Sequence, residues 1–249
     1  MSIETKLKSL RLSGIVNALP IRNQEAVQSK LSYMEFLEVL VEDELVRRQG
    51  RLMERRKQMA RFPMHKTLDS FDFSFNPKIN QRQIADLATG RFIPPAENIV
   101  LLGPPGVGKS HLAIALGLSA IRCGYPTRYY TAYDLVDELS AVSQSPAERR
   151  QRLGEIARLS LLIIDDLGMK KLPASAAEDL LEIVMQRYEK AATIITSNRP
   201  MEDWGKMLGD NATAGVLLDR YLHHAHIIQI TGRSYRMASR SVAKTEESK

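Results

Sequence analysis

Eight residues with the sequence GPPGVGKS, at positions 103–110, carry the clearest chemical signal in the chain. They match the pattern GxxxxGK[ST], in which glycines let a loop curl so that its backbone N–H groups point at a bound phosphate. In such a loop Lys109 would reach the β- and γ-phosphates, and Ser110 would place its hydroxyl on Mg²⁺. The alternative interpretation is a Gly/Pro-rich turn between a strand and a helix that binds nothing.

Two acidic residues follow an apolar run in the segment LLIIDDLG, at 161–168. The run predicts a buried strand that ends at Asp165, and ligands of open α/β sheets bind at the carboxyl ends of the strands. Asp165 would therefore hold the metal, directly or through water, while Asp166 would orient or deprotonate an attacking water. A pair of aspartates that only caps a strand-to-helix turn is the alternative.

An asparagine ends a further apolar run in the segment TIITSNRP, at 193–200. At the end of a strand, Asn198 would hydrogen-bond the terminal phosphate or the attacking water. Alone it would be interpreted as an ordinary Asx turn. Because it follows the loop and the acidic pair along the chain, we interpret it as a sensor of the terminal phosphate.

A parallel sheet is needed to bring these segments together. Apolar runs near 99–102, 127–131, 161–165, 192–196 and 226–230 alternate with segments of helical periodicity. This alternation predicts an α/β fold in which helices cover both faces of a parallel sheet.

The first sixty residues show helical periodicity and no convincing strand. The apolar spacing from Leu7 to Leu19 predicts a short helix that ends near Pro20, and a second helix should run from about Ser32 into a basic stretch. Residues 60–80 contain two prolines and are predicted to form a linker to the α/β part.

The charge is unevenly distributed along the chain. The whole sequence contains 35 Lys/Arg and 29 Asp/Glu residues, for a net charge of +6. The stretch RRQGRLMERRKQMAR, at 47–61, contains seven basic residues against Glu54 and so accounts for the entire excess. These seven are Arg47, Arg48, Arg51, Arg55, Arg56, Lys57 and Arg61. So basic a helix predicts binding to the phosphate backbone of a nucleic acid, and a solvated helix face is the alternative.

Composition limits the class of protein. The 249 residues suffice to bury a full α/β core and to carry a smaller appendage. The single cysteine, Cys123, excludes a disulfide framework and favours a reducing compartment. Because the sequence shows neither a secretion signal nor an apolar stretch of membrane-spanning length, we expect a soluble cytoplasmic protein without a membrane partner.

The ordered set of loop, acidic pair and Ser-Asn resembles the AAA+ ATPases, and specifically the lidless initiator-type group of bacterial helicase loaders and IstB-like transposition helper proteins. The similarity to the IstB-like helpers covers nearly the whole chain. It is carried by FPMHKTLDSFDFS, NIVLLGPPGVGKSHLAIALG, LLIIDDLG, RYEKAATIITSNRP, LLDRYLHHAHII and GRSYR.

This resemblance implies an AAA+ P-loop NTPase fold with a five-stranded parallel sheet, no C-terminal lid and a small all-helical N-terminal domain. We expect the helical domain at 1–66, the ATPase domain at 67–233 and a tail at 234–249. It also implies that the protein binds ATP and Mg²⁺, hydrolyses ATP, forms a homo-oligomer on duplex DNA and delivers this target DNA to a transposase.

The family's functional residues map onto positions of this chain. The residues expected to contact the nucleotide are Gly103, Pro104, Pro105, Gly106, Val107, Gly108, Lys109, Ser110 and His111. In the linker Phe71, Phe73 and Asn80 match positions that lie near the adenine in the family. Packing in the core is an equally good interpretation of the two phenylalanines. Arg220 matches the arginine-finger region and would reach the γ-phosphate of a neighbouring subunit; an intramolecular salt bridge is its alternative.

Two departures from the AAA+ pattern affect these expectations. Asp166 stands where a glutamate is usual, so hydrolysis should be slow. About nineteen residues follow the last predicted strand, too few for a helical lid, and we leave open whether Arg233 or Arg236 replaces the arginine that a lid would supply.

A second basic segment lies between the second and third predicted strands, where initiator-type relatives carry an extra helical element that faces DNA. It contains Arg149, Arg150 and Arg152, and Lys170 and Lys171 would extend the same surface. A solvated helix face whose charge is compensated by Glu148 and Glu155 is the alternative.

Three neighbouring histidines raise a different possibility. His223, His224 and His226 lack a cysteine or an acidic pair at ligand spacing, so we favour a packed helix end over a metal site.

Three functions fit these features. The leading one is an ATP-dependent, DNA-binding helper of a transposase in DNA transposition. A replicative helicase loader differs from it in its partner. A small-molecule phosphotransferase would share the phosphate loop but would need neither the basic helix nor an arginine that acts in trans.

Overall fold

Five parallel strands form the sheet predicted from the sequence. In the computed structural model, which describes residues 1–169, 174–205, 211–235 and 237–238, the strands are β1 Asn98–Leu102, β2 Thr127–Thr131, β3 Leu161–Leu167, β4 Ala192–Ser197 and β5 Ala225–Gln229. Their order is β2-β3-β4-β1-β5, and every pair is parallel. The carboxyl ends of β1, β3 and β4 therefore meet at one edge of the sheet. The predicted residues Lys170, Lys171 and Arg236 lie outside the described residues.

Helices cover both faces of the sheet, as predicted. The helices after residue 80 are α4 Gln81–Leu87, α5 Lys109–Arg122, α6 Ala132–Ala141, α7 Pro146–Ala157, α8 Ala174–Arg187 and α9 Asn211–Leu222. Successive strand residues face opposite sides: Ile163 belongs to the core cluster that contains α5, and Ile164 to the cluster that contains α6 to α9. No described helix is long and apolar enough to cross a membrane.

Capping residues set where the helices between β2 and β3 begin. The side chain of Thr131 accepts a hydrogen bond from the backbone N–H of Asp134 at the start of α6, and Ser145 caps α7, whose first residue is Pro146. A hydroxyl cap is favourable at a helix N-terminus because it satisfies a backbone N–H that has no partner within the helix. Proline is favourable at the first helical position because it has no backbone N–H to satisfy.

A buried arginine ties α7, α8 and β4 together. The guanidinium of Arg187 is 2% exposed and donates to Oγ1 of Thr193 at 3.0 Å and to the backbone carbonyls of Ile156 at 3.0 Å and Leu159 at 2.8 Å. It also donates to the carbonyl of Ala192. Acceptors on every side replace the water that a buried cation loses, so this side chain fixes the end of α7 against the sheet.

The N-terminal unit, Met1–Arg56, consists of helices. Its elements are α1 Ile3–Ser9, α2 Ser13–Ser29 and α3 Tyr33–Ala60, whose last turn extends past the unit. The prediction that a helix ends near Pro20 was wrong, because Pro20 lies inside α2. The helix continues past Pro20 because a proline removes only one of its backbone hydrogen bonds. In the part of α2 after Pro20, Arg22 forms an ion pair with Asp43 of α3 at 2.8 Å.

Helices α2 and α3 approach closely at Gly14. A Cβ atom at this residue would lie 2.6 Å from Cα of Glu44. The buried carboxylate of Glu44 accepts hydrogen bonds from the backbone N–H groups of Gly14, at 2.5 Å, and Ile15, at 3.3 Å. It thus satisfies N–H groups at the start of α2 that have no partner within the helix. The second unit is Lys57–Lys249, so residues 57–66, which we expected in the helical domain, are grouped with the unit that contains the sheet.

Candidate functional site

The loop between β1 and α5 has the conformation that its glycines permit. Gly106 and Gly108 have φ angles of +82° and +103°, which side chains rarely adopt. A Cβ atom at Gly108 would lie 2.6 Å from the ring of Phe71, and one at Gly106 would lie 2.1 Å from Oγ of Ser234. Glycine is therefore required at both positions, by the positive φ and by the lack of space for a side chain. Helix α5 begins directly after the loop at Lys109, so the loop lies at a helix N-terminus, where anions bind.

Lys109 and Ser110 lie on the first turn of α5. Lys109 is 5% exposed, and its Nζ donates to the carbonyl oxygen of Pro104 at 3.0 Å, across the loop. Oγ of Ser110 donates to Oδ1 of Asp165 at 3.0 Å. The loop thus places a cation and a hydroxyl side by side, and the hydroxyl already contacts the carboxylate predicted to share the metal with it.

The Asp165 carboxylate is buried, with an exposure of 2%, and accepts hydrogen bonds from hydroxyl groups of separate elements. Tyr129 of β2 donates to Oδ2 at 2.6 Å, while Thr196 of β4 and Ser110 donate to Oδ1. Burial, and next the hydrogen bond to Asp165, raise the pKa of Tyr129 well above its ordinary value, so its hydroxyl stays a donor. Because Mg²⁺ prefers carboxylate, hydroxyl and water oxygens, the Ser110–Asp165 pair fits this ion.

A bulge in β3 turns two neighbouring carboxylates toward one pocket. Pairing of β3 with β4 runs to Ile164 opposite Ile195 and resumes at Leu167 opposite Ser197. Two residues of β3 thus oppose one of β4, and such a bulge breaks the alternation of faces. Asp166 has a φ of +58°, and its backbone N–H donates to Oγ1 of Thr196 at 3.0 Å. As a result Asp165 and Asp166 both line the pocket.

Asn198 lies just after β4 and lines the same pocket. Its Oδ1 is buried and has no hydrogen-bond partner among the residues that the structure describes. A buried acceptor without a partner costs free energy, so a donor in the pocket would be favoured here. Of the two predicted roles, contact with a water O–H is the one that this oxygen fits.

The pocket has a volume of about 560 Å³. Eleven of the predicted residues line it, namely Phe71, Pro105, Gly106, Val107, Gly108, Lys109, Ser110, His111, Asp165, Asp166 and Asn198. Gly103 and Pro104 belong to the loop but do not line the cavity, and neither does Arg220. Tyr129 lines it as well and was not predicted.

Part of the cavity lining is aromatic. Phe75 and Tyr235 pack edge to face with ring centroids 5.0 Å apart, and Phe71 lines the cavity beside them. The buried Nδ2 of Asn76, which also lines the cavity, has no partner in the described part of the chain. An apolar wall with an unpaired amide donor fits the base of a nucleotide.

The other two linker residues predicted near the adenine lie elsewhere. Phe73 packs against the ring of Phe71 at 4.8 Å and against the core on the α5 side of the sheet. Asn80 caps α4 by accepting a hydrogen bond from the backbone N–H of Gln83 at 3.2 Å. Phe75 and Asn76 therefore line the cavity together with Phe71, whereas Phe73 and Asn80 do not.

Arg220 is exposed on α9. Its guanidinium lies 4.9 Å from the centroid of the Tyr188 ring, a cation–π contact, and the Tyr188 hydroxyl is 2.9 Å from Nδ1 of His223. The fold also brings Glu189 within 3.9 Å of His223 and 3.8 Å of His224, a proximity that the sequence does not reveal. Glu189, His223 and His224 form an exposed cluster, and neither this cluster nor Arg220 lines the pocket.

Two of the three arginines of α7 are engaged in ion pairs. Arg149 pairs with Asp179 of α8 and with Glu182, the latter at 3.0 Å. Arg152 pairs with Glu138 of α6 and with Glu155. Arg150 is exposed, and its Nε donates to the carbonyl of Pro146 at 3.2 Å. The charges of Arg149 and Arg152 are thus compensated within the chain, in part by the predicted Glu155 and not by Glu148 among the described ion pairs.

The basic residues of α3 form a stripe. At about 100° per residue, Arg47, Arg51 and Arg55 fall within an arc of about 80°, and all three are exposed. Arg51 donates to Oγ of Ser13 at 2.6 Å, and Arg48, at the edge of the arc, pairs with Glu44 at 2.7 Å. Arg56 and Lys57 are half-buried. The stripe Arg47–Arg51–Arg55 is therefore the part of the basic run best placed for contact with phosphates.

Similarity to known proteins extends over most of the chain. Residues 5–243 match the family of IstB-like ATP binding proteins. The chain is 40% identical over 217 residues to the ATP-binding protein of insertion sequence IS5376 from Geobacillus stearothermophilus, which covers 87% of this chain and 86% of that protein. It is 37% identical over 241 residues to the ATP-binding protein of insertion sequence IS21 from Pseudomonas aeruginosa, with coverages of 97% and 91%.

A solved structure supports the fold. DnaI superposes on 70% of this chain and 94% of its own length with a TM-score of 0.57, at 22% identity. This likeness, the family match and the strand order confirm the predicted AAA+ P-loop fold. The described residues after β5 contain no helical lid.

The two aspartates should have separable effects. Because asparagine tolerates a positive φ, Asp166→Asn should keep the bulge and the binding of ATP, yet lower the hydrolysis rate by ~10²–10⁴-fold through loss of a general base. Asp165→Asn should instead weaken Mg²⁺-dependent ATP binding. Binding of a fluorescent ATP analogue with and without Mg²⁺, and phosphate release, measure the two effects. Equal loss of ATP binding in both variants would contradict this division of roles.

Proposed function

Because the chain belongs to the family of IstB-like ATP-binding proteins, we propose that it is a transposition-associated ATPase that assembles on duplex DNA and delivers this DNA to a transposase. The observation that carries the ATPase part is the pocket in which Lys109, Ser110, Asp165 and Asp166 converge. The relatives named after insertion sequences favour a transposase over a replicative helicase as the partner.

Hydrolysis follows from the residues around the pocket. The loop and Lys109 bind the phosphates, and Ser110 with Asp165 would hold Mg²⁺, which when bound neutralises the charge that develops on the β- and γ-phosphates. Asp166 accepts a proton from the attacking water, and Oδ1 of Asn198 accepts the other O–H and so orients it. Since aspartate reaches one methylene less far than the usual glutamate, the unassisted reaction is slow.

Arg220 completes the site from a neighbouring subunit. Arg220 is exposed and does not line its own pocket. Both facts support a role in trans, because an arginine that stabilises the γ-phosphate in the transition state must reach that phosphate. The contact with Tyr188 holds the guanidinium at the surface. ATP hydrolysis then depends on assembly.

DNA binding is assigned to the α3 stripe. Its exposed guanidiniums match a phosphate backbone and carry no base-specific contact, so each subunit binds DNA weakly and without sequence preference. Assembly multiplies this affinity, because linked subunits rebind at high effective concentration and avidity rises by ~10²–10⁴. ATP thereby controls DNA binding through the number of subunits that line up.

Neutralising the stripe should weaken DNA binding and flatten its salt dependence. Replacing Arg47, Arg51 and Arg55 together with Gln removes up to three phosphate contacts, so the slope of log affinity against log salt should fall in magnitude by up to about 2.7. ATP binding should not change. The measurement is a salt titration of duplex DNA affinity.

The control variant loses the same charge from exposed arginines of the other unit, at Arg82, Arg91 and Arg122. Its slope should equal that of the wild type. An unchanged slope in the α3 variant, or an equal change in both variants, would remove the DNA-binding role from α3.

Arg220 and Lys109 should complement each other across subunits. Arg220→Ala should bind ATP normally and lose ~10³–10⁵ in hydrolysis rate, the contribution of an arginine finger, and Lys109→Ala should fail to bind ATP. In a mixture some interfaces combine an intact Lys109 with an intact Arg220, so phosphate release should exceed the sum of the two variants alone. If co-assembled mixtures show no recovery at any ratio, Arg220 serves its own subunit.

A further inference from the structure

The hydroxyl of Tyr129 holds the far oxygen of the Asp165 carboxylate. It donates to Oδ2 at 2.6 Å, while Ser110 donates to Oδ1 at 3.0 Å. Both the tyrosine and the aspartate are buried. A carboxylate whose Oδ2 is held has little freedom to turn about its last side-chain bond, a torsion that is otherwise broad. Oδ1 therefore stays directed to the Ser110 side of the pocket.

The ring of Tyr129 packs against a linker residue that itself lies over α5. Phe62 of the linker packs against it with ring centroids 6.1 Å apart at 61°. Phe62 also lies over Gly117 of α5, where a Cβ atom would come within 2.8 Å of its ring and 2.7 Å of Cδ1 of Ile163. Only glycine at position 117 leaves room for the ring of Phe62. Because Phe62 packs against Tyr129, the position of Phe62 helps to set the position of the tyrosine ring.

A neighbouring tyrosine offers an internal comparison. Tyr130 follows Tyr129 on β2 and faces the opposite side of the sheet, where its hydroxyl donates to Oε1 of Glu138 at 2.7 Å. Both tyrosines are buried and both donate to a carboxylate. Only the one on the α5 side reaches the pocket.

We propose that Tyr129 is a positioning residue that orients Asp165 for the metal ion of the ATPase reaction, and that Phe62 maintains this orientation from the linker. The inference rests on the proposed function of the pocket. Groups that hydrogen-bond a metal ligand commonly raise metal affinity by ~10–100-fold. The Tyr129 hydroxyl donates such a hydrogen bond to Asp165. Without it, the only side-chain donors to this carboxylate in the described part of the chain are those to Oδ1.

Metal affinity in Tyr129→Phe tests the proposal. Mn²⁺ replaces Mg²⁺ as the probe, and its electron paramagnetic resonance signal reports binding to the protein with a non-hydrolysable ATP analogue. We expect the Kd for Mn²⁺ to rise by ~10–100-fold, while binding of the analogue in the presence of EDTA stays unchanged. Phe62→Leu, which keeps an apolar side chain, should shift the Kd in the same direction by a smaller factor.

The matched control is Tyr130→Phe, which loses the same kind of hydrogen bond on the other face and should bind Mn²⁺ like the wild type. A purely structural role would lower the melting temperature of both tyrosine variants and leave both Kd values unchanged, and this result would overturn the proposal. Failure of the wild type to bind the analogue and Mn²⁺ together would instead disprove the proposed function of the pocket.

Discussion

The carboxylate of Asp165 lies in the interior, where an ionised group is stable only when hydrogen bonds replace its hydration. Those bonds come from Tyr129 on β2, Thr196 on β4 and Ser110 at the start of α5. The strand order β2-β3-β4-β1 is what places the three donors around β3. The fold therefore builds the proposed metal site, because the donors that stabilise the buried carboxylate also fix its orientation.

The bulge at Asp165 and Asp166 brings a second carboxylate into the pocket beside the first. In a regular strand the two carboxylates would face opposite sides of the sheet. Thr196 stabilises the irregular backbone, because its hydroxyl donates to Asp165 and accepts from the backbone N–H of Asp166. A residue held at positive φ costs free energy. Here the cost places the proposed metal ligand and the proposed base within one pocket.

The sequence predicts those parts of the site that local patterns encode. The phosphate loop fixes Lys109 and Ser110 by spacing alone, and apolar runs locate all five strands. The bulge, the Tyr129 contact and the ion pairs of Arg149 depend on residues distant along the chain, and no local pattern encodes them. Phe75 and Asn76 line the cavity while Phe73 and Asn80 do not. The path of the linker backbone decides which of its side chains face the cavity, and no local pattern encodes that path.

The proposed nucleotide and DNA contacts lie in different units of the chain, and the proposed control of one by the other begins with a correctly held metal. The most direct measurement of this claim is a crystal structure with Mg²⁺ and a non-hydrolysable ATP analogue. The account predicts the ion beside Ser110 and Asp165, the Ser110 hydroxyl turned from Asp165 to the ion, and Tyr129 still bonded to Oδ2. An ion bound elsewhere in the pocket, with the Ser110–Asp165 hydrogen bond intact, would contradict it.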